Sequence, residues 1–146
     1  MSGVVRHVAR EDWLETAEGL RADGFVMLAD LTCVDYLEGV REDLPEEVVR
    51  ERFEVVAVLR RMDPPAMVRL RAQVPDDDPV IDSLWSVYPG VEAFEREVFD
   101  LFGIHFRGHP DLSRILMPED WEGHPLRKDY GVGRVAVQFK EVRRHR

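Results

Sequence analysis

The spacing of apolar and polar residues predicts a short series of elements. Trp13, Leu14, Ala17 and Leu20 recur at helical intervals across residues 11–22, and Gly24 follows as a stop. Residues 25–36 are rich in apolar and β-branched side chains and predict a strand, at least to Thr32. Residues 37–49 are acidic and contain Gly39 and Pro45, which predicts a loop with a short helical turn. Residues 53–62 predict a second strand, broken by Asp63-Pro64-Pro65 because proline brings no N–H to a ladder. Val68, Leu70, Ala72 and Val74 then alternate with Arg69, Arg71 and Gln73. That period belongs to a half-buried strand, paired with its predecessor as a hairpin.

After Tyr88-Pro89-Gly90 the period returns to that of a helix. Phe94, Val98, Leu101 and Phe102 form one apolar stripe, and Gly103 is placed to end it in a left-handed conformation. From His109 to Tyr130 neither period persists. Prolines 110, 118 and 125 and Gly123 punctuate a segment that still holds Leu, Ile, Met, Trp and Tyr among charges of both signs. Disordered chains lack such apolar content. These side chains therefore need cover, from their own domain or from a partner.

The length of 146 residues suits a single domain, with 45% apolar and 34% charged residues. The longest apolar runs, 25–29 and 55–59, are strand-sized, well short of the roughly 20 residues of a membrane helix. The first residues hold no long apolar h-region, so no secretory signal is expected and a cytoplasmic setting is the simplest reading. The net charge of −9 is uneven: residues 1–100 carry 23 acids and 11 bases, residues 101–146 carry 6 acids and 9 bases. An acidic body argues against general nucleic-acid binding. The basic tail suits an acidic partner or anionic lipid.

Candidate chemistry is sparse. The single cysteine, Cys33, cannot supply the four thiolates usual for an iron–sulfur cluster, nor an internal disulfide, and lies in an apolar stretch as a buried thiol would. Residues 131–136 spell G-x-G-x-x-A, but the ten residues that follow leave no room for the βαβ unit that makes this a dinucleotide fingerprint. Asp76-Asp77-Asp78 clusters carboxylates as a divalent cation would want, yet adjacent side chains on an extended segment point in alternating directions. His105, His109 and His124 lie near Asp111, Glu119 and Asp120. They permit a metal-dependent enzyme reading, although His105 and His109 are separated by Gly108 in a non-helical stretch. Glu97 and Asp100 are three apart on the helix, and Arg96 and Asp100 four apart, the spacing of an intrahelical ion pair. An electrostatic role at an interface suits Glu95, Arg96, Glu97 and Asp100 better than catalysis, since no nucleophile or phosphate loop lies nearby. In the loop, Arg114, Arg127 and Lys128 alternate with Glu119, Asp120, Glu122 and Asp129, which reads either as a solvated charged loop or as a polar rim for docking with Trp121 and Tyr130 as buried anchors.

Residues 95–104 (EREVFDLFGI), 108–112 (GHPDL) and 114–130 (RILMPEDWEGHPLRKDY) together resemble the signature of the C subunit in the proton-translocating NADH–quinone oxidoreductase family, respiratory complex I. Weaker likeness extends to 28–36, 53–56 and 79–89. The resemblance implies an α+β fold, a small mixed sheet with flanking helices and a long loop-rich C-terminal docking segment. It divides one domain into a core (1–90), a signature helix and docking loop (91–130) and a basic tail (131–146). It implies a cofactor-free structural subunit of the peripheral arm. Electrons would pass from NADH to quinone, coupled to proton translocation, in the assembled enzyme and not in this chain alone. Flavin, iron–sulfur clusters and quinone would belong to other subunits. The expected partners are subunits D and B and other peripheral-arm subunits, at the cytoplasmic face of the plasma membrane, with membrane contact only through the complex. The docking set on this reading is Glu95, Arg96, Glu97, Asp100, His109, Pro110 and Arg114, with Asp120, Trp121, Glu122, His124, Arg127, Lys128, Asp129 and Tyr130. Related scaffold subunits serve membrane-bound hydrogenases, formate hydrogenlyase and F420H2 dehydrogenases, which stand as the alternative assemblies.

Overall fold

The predicted hairpin is the middle of the main sheet. In the computed structural model, which describes residues 3–37, 41 and 43–131, β3 (Phe53–Met62) and β4 (Pro65–Val74) pair antiparallel from Phe53↔Val74 to Met62↔Pro65. Pro65 opens β4, where a missing N–H is tolerated. Strand β2 (Met27–Asp35) adds antiparallel to β3, with an irregularity between Leu28 and Asp30. Strand β1 (Val4–Val8) completes the sheet on the other side, parallel to β4, giving the order β1-β4-β3-β2. Its sequence did not suggest a strand: five residues carry too little alternation, and the partner lies more than sixty positions away.

Helix α1 (Trp13–Ala22) buries Trp13, Ala17 and Leu20, one face at helical spacing. The chain then turns at Gly24, whose φ of 96° favours glycine. Helix α2 (Glu92–Phe102) lies between two three-residue strands, β5 (Val80–Asp82) and β6 (His105–Arg107), which pair parallel. Through them Ile81 and Phe106 join the buried core with Val55, Ala57 and Leu59 of β3 and Leu70, Ala72 and Val74 of β4. Tyr88 spans the same core and donates its hydroxyl to the Phe25 carbonyl at 2.6 Å. Cys33 is buried here, and burial pushes its thiol well above the ordinary range. No helix among the described residues is long and apolar enough to cross a membrane.

The apolar stripe expected on α2 is only half of its inner face. Val98 and Phe102 are buried, but so are the carboxylates of Glu95 and Asp100, both without exposure, while Phe94 and Leu101 are half-buried against the core. A helix that buries two acids needs polar partners for them. Those partners define the site.

Candidate functional site

Glu95 faces the segment that precedes the helix. Its Oε1 accepts the Ser83 hydroxyl at 2.5 Å and its Oε2 accepts the Leu84 N–H at 2.9 Å. No cation among the described residues forms an ion pair with it. Burial raises its pKa from the ordinary 4.5 to about 7, the two hydrogen bonds offsetting only part of that rise. A carboxyl that holds its proton more tightly when folded adds stability below its unfolded pKa and loses that contribution as pH climbs through about 7. The difference is worth roughly 3 kcal/mol. The urea midpoint is therefore expected to fall between pH 5 and pH 8, and Glu95→Gln to flatten that fall; equal pH slopes in both proteins would contradict it.

Asp100 faces the other way, into the loop 109–130. Its Oδ2 accepts three successive backbone N–H groups, from Ile115, Leu116 and Met117 at 3.1, 2.7 and 2.8 Å, and its Oδ1 accepts Arg114 at 2.8 Å. Burial alone would raise its pKa. The three N–H groups and the guanidinium outweigh burial and hold it below the ordinary value. Arg114 also donates to the Gly123 carbonyl at 2.8 Å, which ties the two limbs of the loop together. Arg96 grips the first limb through the Ser113 and Arg114 carbonyls, both at 3.1 Å.

The second limb caps the last turn of α2. His124 Nδ1 donates to the Asp100 carbonyl at 2.9 Å, the Leu126 N–H to Leu101 at 3.0 Å, and Arg127 Nε to Phe102 at 2.6 Å. Carbonyls at a helix C-terminus lack partners within the helix, and cationic donors there also meet the negative end of its dipole. Gly103 makes this approach possible. Its φ is 78°, and a Cβ there would lie 2.7 Å from the His124 ring and 2.8 Å from Arg127. His109 anchors the loop's start: its Nδ1 accepts the Asp111 N–H and its Nε2 donates to the Glu92 carbonyl, each at 3.0 Å.

The loop's end is moored to the sheet by residues that the sequence pattern did not single out. Asp35, at the end of β2, is 4% exposed and takes a bidentate grip from Arg52 at 3.0 and 2.9 Å, plus the Lys128 N–H at 2.8 Å. Arg52 reaches on to Asp129 at 2.8 Å and Asp76 at 3.1 Å. Asp35 continues the inward phase of Leu31 and Cys33. A charge in the buried phase of a strand calls for a counter-charge, and that was the available signal.

Several expectations are corrected by this geometry. Glu97 and Asp100 do not share an environment, since Glu97 is exposed and Asp100 buried. Arg96 does not pair with Asp100; its ion pair is with Glu92 at 3.8 Å, and Asp100 takes Arg114. Glu95 and Asp100 lie inside the fold and hold it together, so neither offers a surface for docking. Trp121 and Tyr130 are half-buried, not fully buried, and bond to each other, indole N–H to phenol oxygen at 3.0 Å. Pro110, Asp120, Glu122 and Lys128 are exposed. His105 is exposed, and no group of three His, Cys, Asp or Glu suited to a metal occurs among the described residues. The G-x-G-x-x-A match and the basic tail lie outside the described residues beyond Gly131.

The loop therefore has a fixed backbone but an outward apolar load. Ile115, Leu116 and Leu126 are 37%, 59% and 51% exposed, and all three hang from the last turn of α2 through their N–H groups. A model of the family described as respiratory-chain NADH dehydrogenase, 30 kDa subunit, matches residues 6–135. The chain belongs to this family. It is 45% identical to the C subunit of NADH-quinone oxidoreductase from Nocardioides sp. over 137 residues, 92% of this chain and 51% of that protein. It is 44% identical to the C subunit from Acidothermus cellulolyticus, covering 92% of this chain and 67% of that one. The chain thus spans about half the length of several curated relatives it matches. Among solved structures, a trypsin-resistant fragment (1-134) of Nqo5 superposes with a TM-score of 0.64 at 34% identity, over 74% of this chain and 81% of that one. A chain of the archaeal membrane-bound sulfane sulfur reductase gives a TM-score of 0.77 at 21% identity over 96% of this chain and 79% of that one, a likeness of fold alone.

Proposed function

We propose that this chain is a cofactor-free structural subunit of the peripheral arm of an NADH–quinone oxidoreductase. Its mechanism is positional. The loop 109–130 presents Ile115, Leu116 and Leu126 on a backbone already locked by Asp100, His124 and Arg127, so little ordering cost remains when a partner docks. The partners are subunits D and B, and the chain steadies them so that electrons travelling from NADH reach quinone while protons are translocated. One cysteine leaves no ligand set for an iron–sulfur cluster in this stretch. Membrane contact comes through the complex, at its cytoplasmic face. The observation that carries the reading is the family match across the same residues that build the loop and its moorings.

The test is purification of the tagged chain in mild detergent, with partners identified and the visible spectrum recorded. Subunits D and B are expected at unit stoichiometry; a cluster or flavin bound to the chain itself would overturn the cofactor-free role. Leu116→Asp is expected to weaken that association about 30-fold, the size of a ~2 kcal/mol hot spot, without changing the urea midpoint. Undiminished recovery of D and B with this variant would remove the loop from the interface.

A further inference from the structure

The face of the main sheet opposite the helices is closed at one end and open at the other. The register across the strands defines its rows. One end carries Gln73 and Glu54, and Arg41 closes over Glu54 in an ion pair at 2.6 Å. The other end carries the rows Val5–Arg69–Val58–Asp30 and Met67–Arg60–Met27, with Met62 beyond them on β3. Neither described helix packs there: α1 and α2 bury their apolar residues in the core on the opposite face, to which neither Val56 nor Val58 belongs. Val5, Met27 and Met62 are 44%, 45% and 63% exposed.

Two arginines in this open half have no partner among the described residues. Arg60 and Arg69 have no hydrogen bond or ion pair among the described residues, and Arg60 Nε is buried with its donor unused. Every other arginine on β3, β4 and the segment 41–52 is engaged: Arg41, Arg50, Arg52, Arg61 and Arg71 all have acceptors. In a chain with 29 acids against 20 bases, two unmatched cations among exposed methionines and valines are unusual. Among the described residues, only Asp30, at the end of one row, opposes them on this half. Arginine and methionine are enriched in interface cores, and an unsatisfied guanidinium donor finds its best acceptor in a carboxylate.

We propose that this open half-sheet is a second protein-docking surface, distinct from the loop 109–130, and that its occupant is an acidic segment of a partner subunit. That segment would place carboxylates on Arg60 and Arg69 and apolar side chains against Met27, Met62 and Val58. Charge complementarity selects such a segment over a second copy of this chain, whose matching face carries the same two cations.

Two measurements on the purified complex test it. Methionine oxidation follows exposure, so sulfoxide formation at Met27 and Met62 is expected to fall by about an order of magnitude in the complex relative to the free chain. The variant Arg60→Lys with Arg69→Lys keeps both charges and adds amines to a chain whose other lysines are Lys128 and Lys140. Carbodiimide is then expected to couple position 60 or 69 to an Asp or Glu of another subunit. Unprotected methionines in an intact complex, coupling only to Asp30 or to a second copy, or protection without any protein adduct, as a lipid surface would give, each overturn the proposal while leaving the loop's role intact. A chain recovered with no stoichiometric partner overturns both.

Discussion

Asp100→Ala is expected to destabilise the fold by about 3–5 kcal/mol, the usual cost of leaving a buried charge without its partner. The substitution strands the Arg114 guanidinium, which is 13% exposed, and three consecutive N–H donors at 115–117. Arg114 keeps only the carbonyls of Asp100 and Gly123, which carry no charge to balance its own. The urea midpoint should drop with little change in slope, because the core is unaltered and the surface exposed on unfolding stays similar. Cleavage within 109–130 by a protease should precede global unfolding, since the loop's first limb has lost its mooring. Asp100→Asn keeps one acceptor oxygen and should cost less, about 1–3 kcal/mol. The pH dependence separates the two effects. Asp100 titrates below its ordinary value when folded, so its contribution is present above the unfolded pKa and disappears as pH falls through the folded one. Wild type and Asp100→Ala should therefore converge in strongly acid solution; a gap that persists there would assign the loss to packing.

Periodic elements were legible in the sequence, and the reasons others were not are physical. β3 announces itself by its apolar, β-branched run, β4 by the alternation of Val68, Leu70, Ala72 and Val74 with Arg69, Arg71 and Gln73, and α1 because Trp13, Ala17 and Leu20 repeat at helical spacing. β5 and β6 hold three residues each, fewer than any period needs, and their pairing joins Val80 to His105 across a helix. The segment 95–130 carries a family signature in its residues alone. What the signature could not reveal is which of its charges face inward. Glu95 and Asp100 read as surface acids on a helix because carboxylates are mostly exposed. Their burial depends on Ser83, Leu84 and Arg114, which lie 12, 11 and 14 positions away. Much of what looked like a docking rim is thus an internal scaffold, and the exposed apolar residues that it holds in place are the better candidates for contact.

Arg52→Ala is expected to cost a similar 3–5 kcal/mol and to release the loop's other end. Its guanidinium joins the end of β2 at Asp35, the turn at Asp76 and the loop at Asp129. The Arg52 side chain is 8% exposed and that of Asp35 only 1%, so water offers little replacement when it is removed. Burial would raise the pKa of Asp35, but Arg52 and the N–H groups of Lys128 and Leu37 hold it below the ordinary value. Without the guanidinium that balance moves toward the protonated acid. Asp35 should then take up a proton more readily, and the deficit of Arg52→Ala should shrink as pH falls and the stranded carboxylate is neutralised. A double variant distinguishes the pair from its surroundings. Arg52→Met with Asp35→Leu removes both charges and fills the space with apolar atoms, which often recovers most of the loss from a broken buried pair. The Lys128 and Leu37 N–H groups still lose an acceptor, so recovery should stop short of wild type by about 1–2 kcal/mol. If the double variant is no more stable than Arg52→Ala, the pair is not the source of the loss, and the contacts of Arg52 with Asp76 and Asp129 or its stacking on the Phe53 ring must carry it.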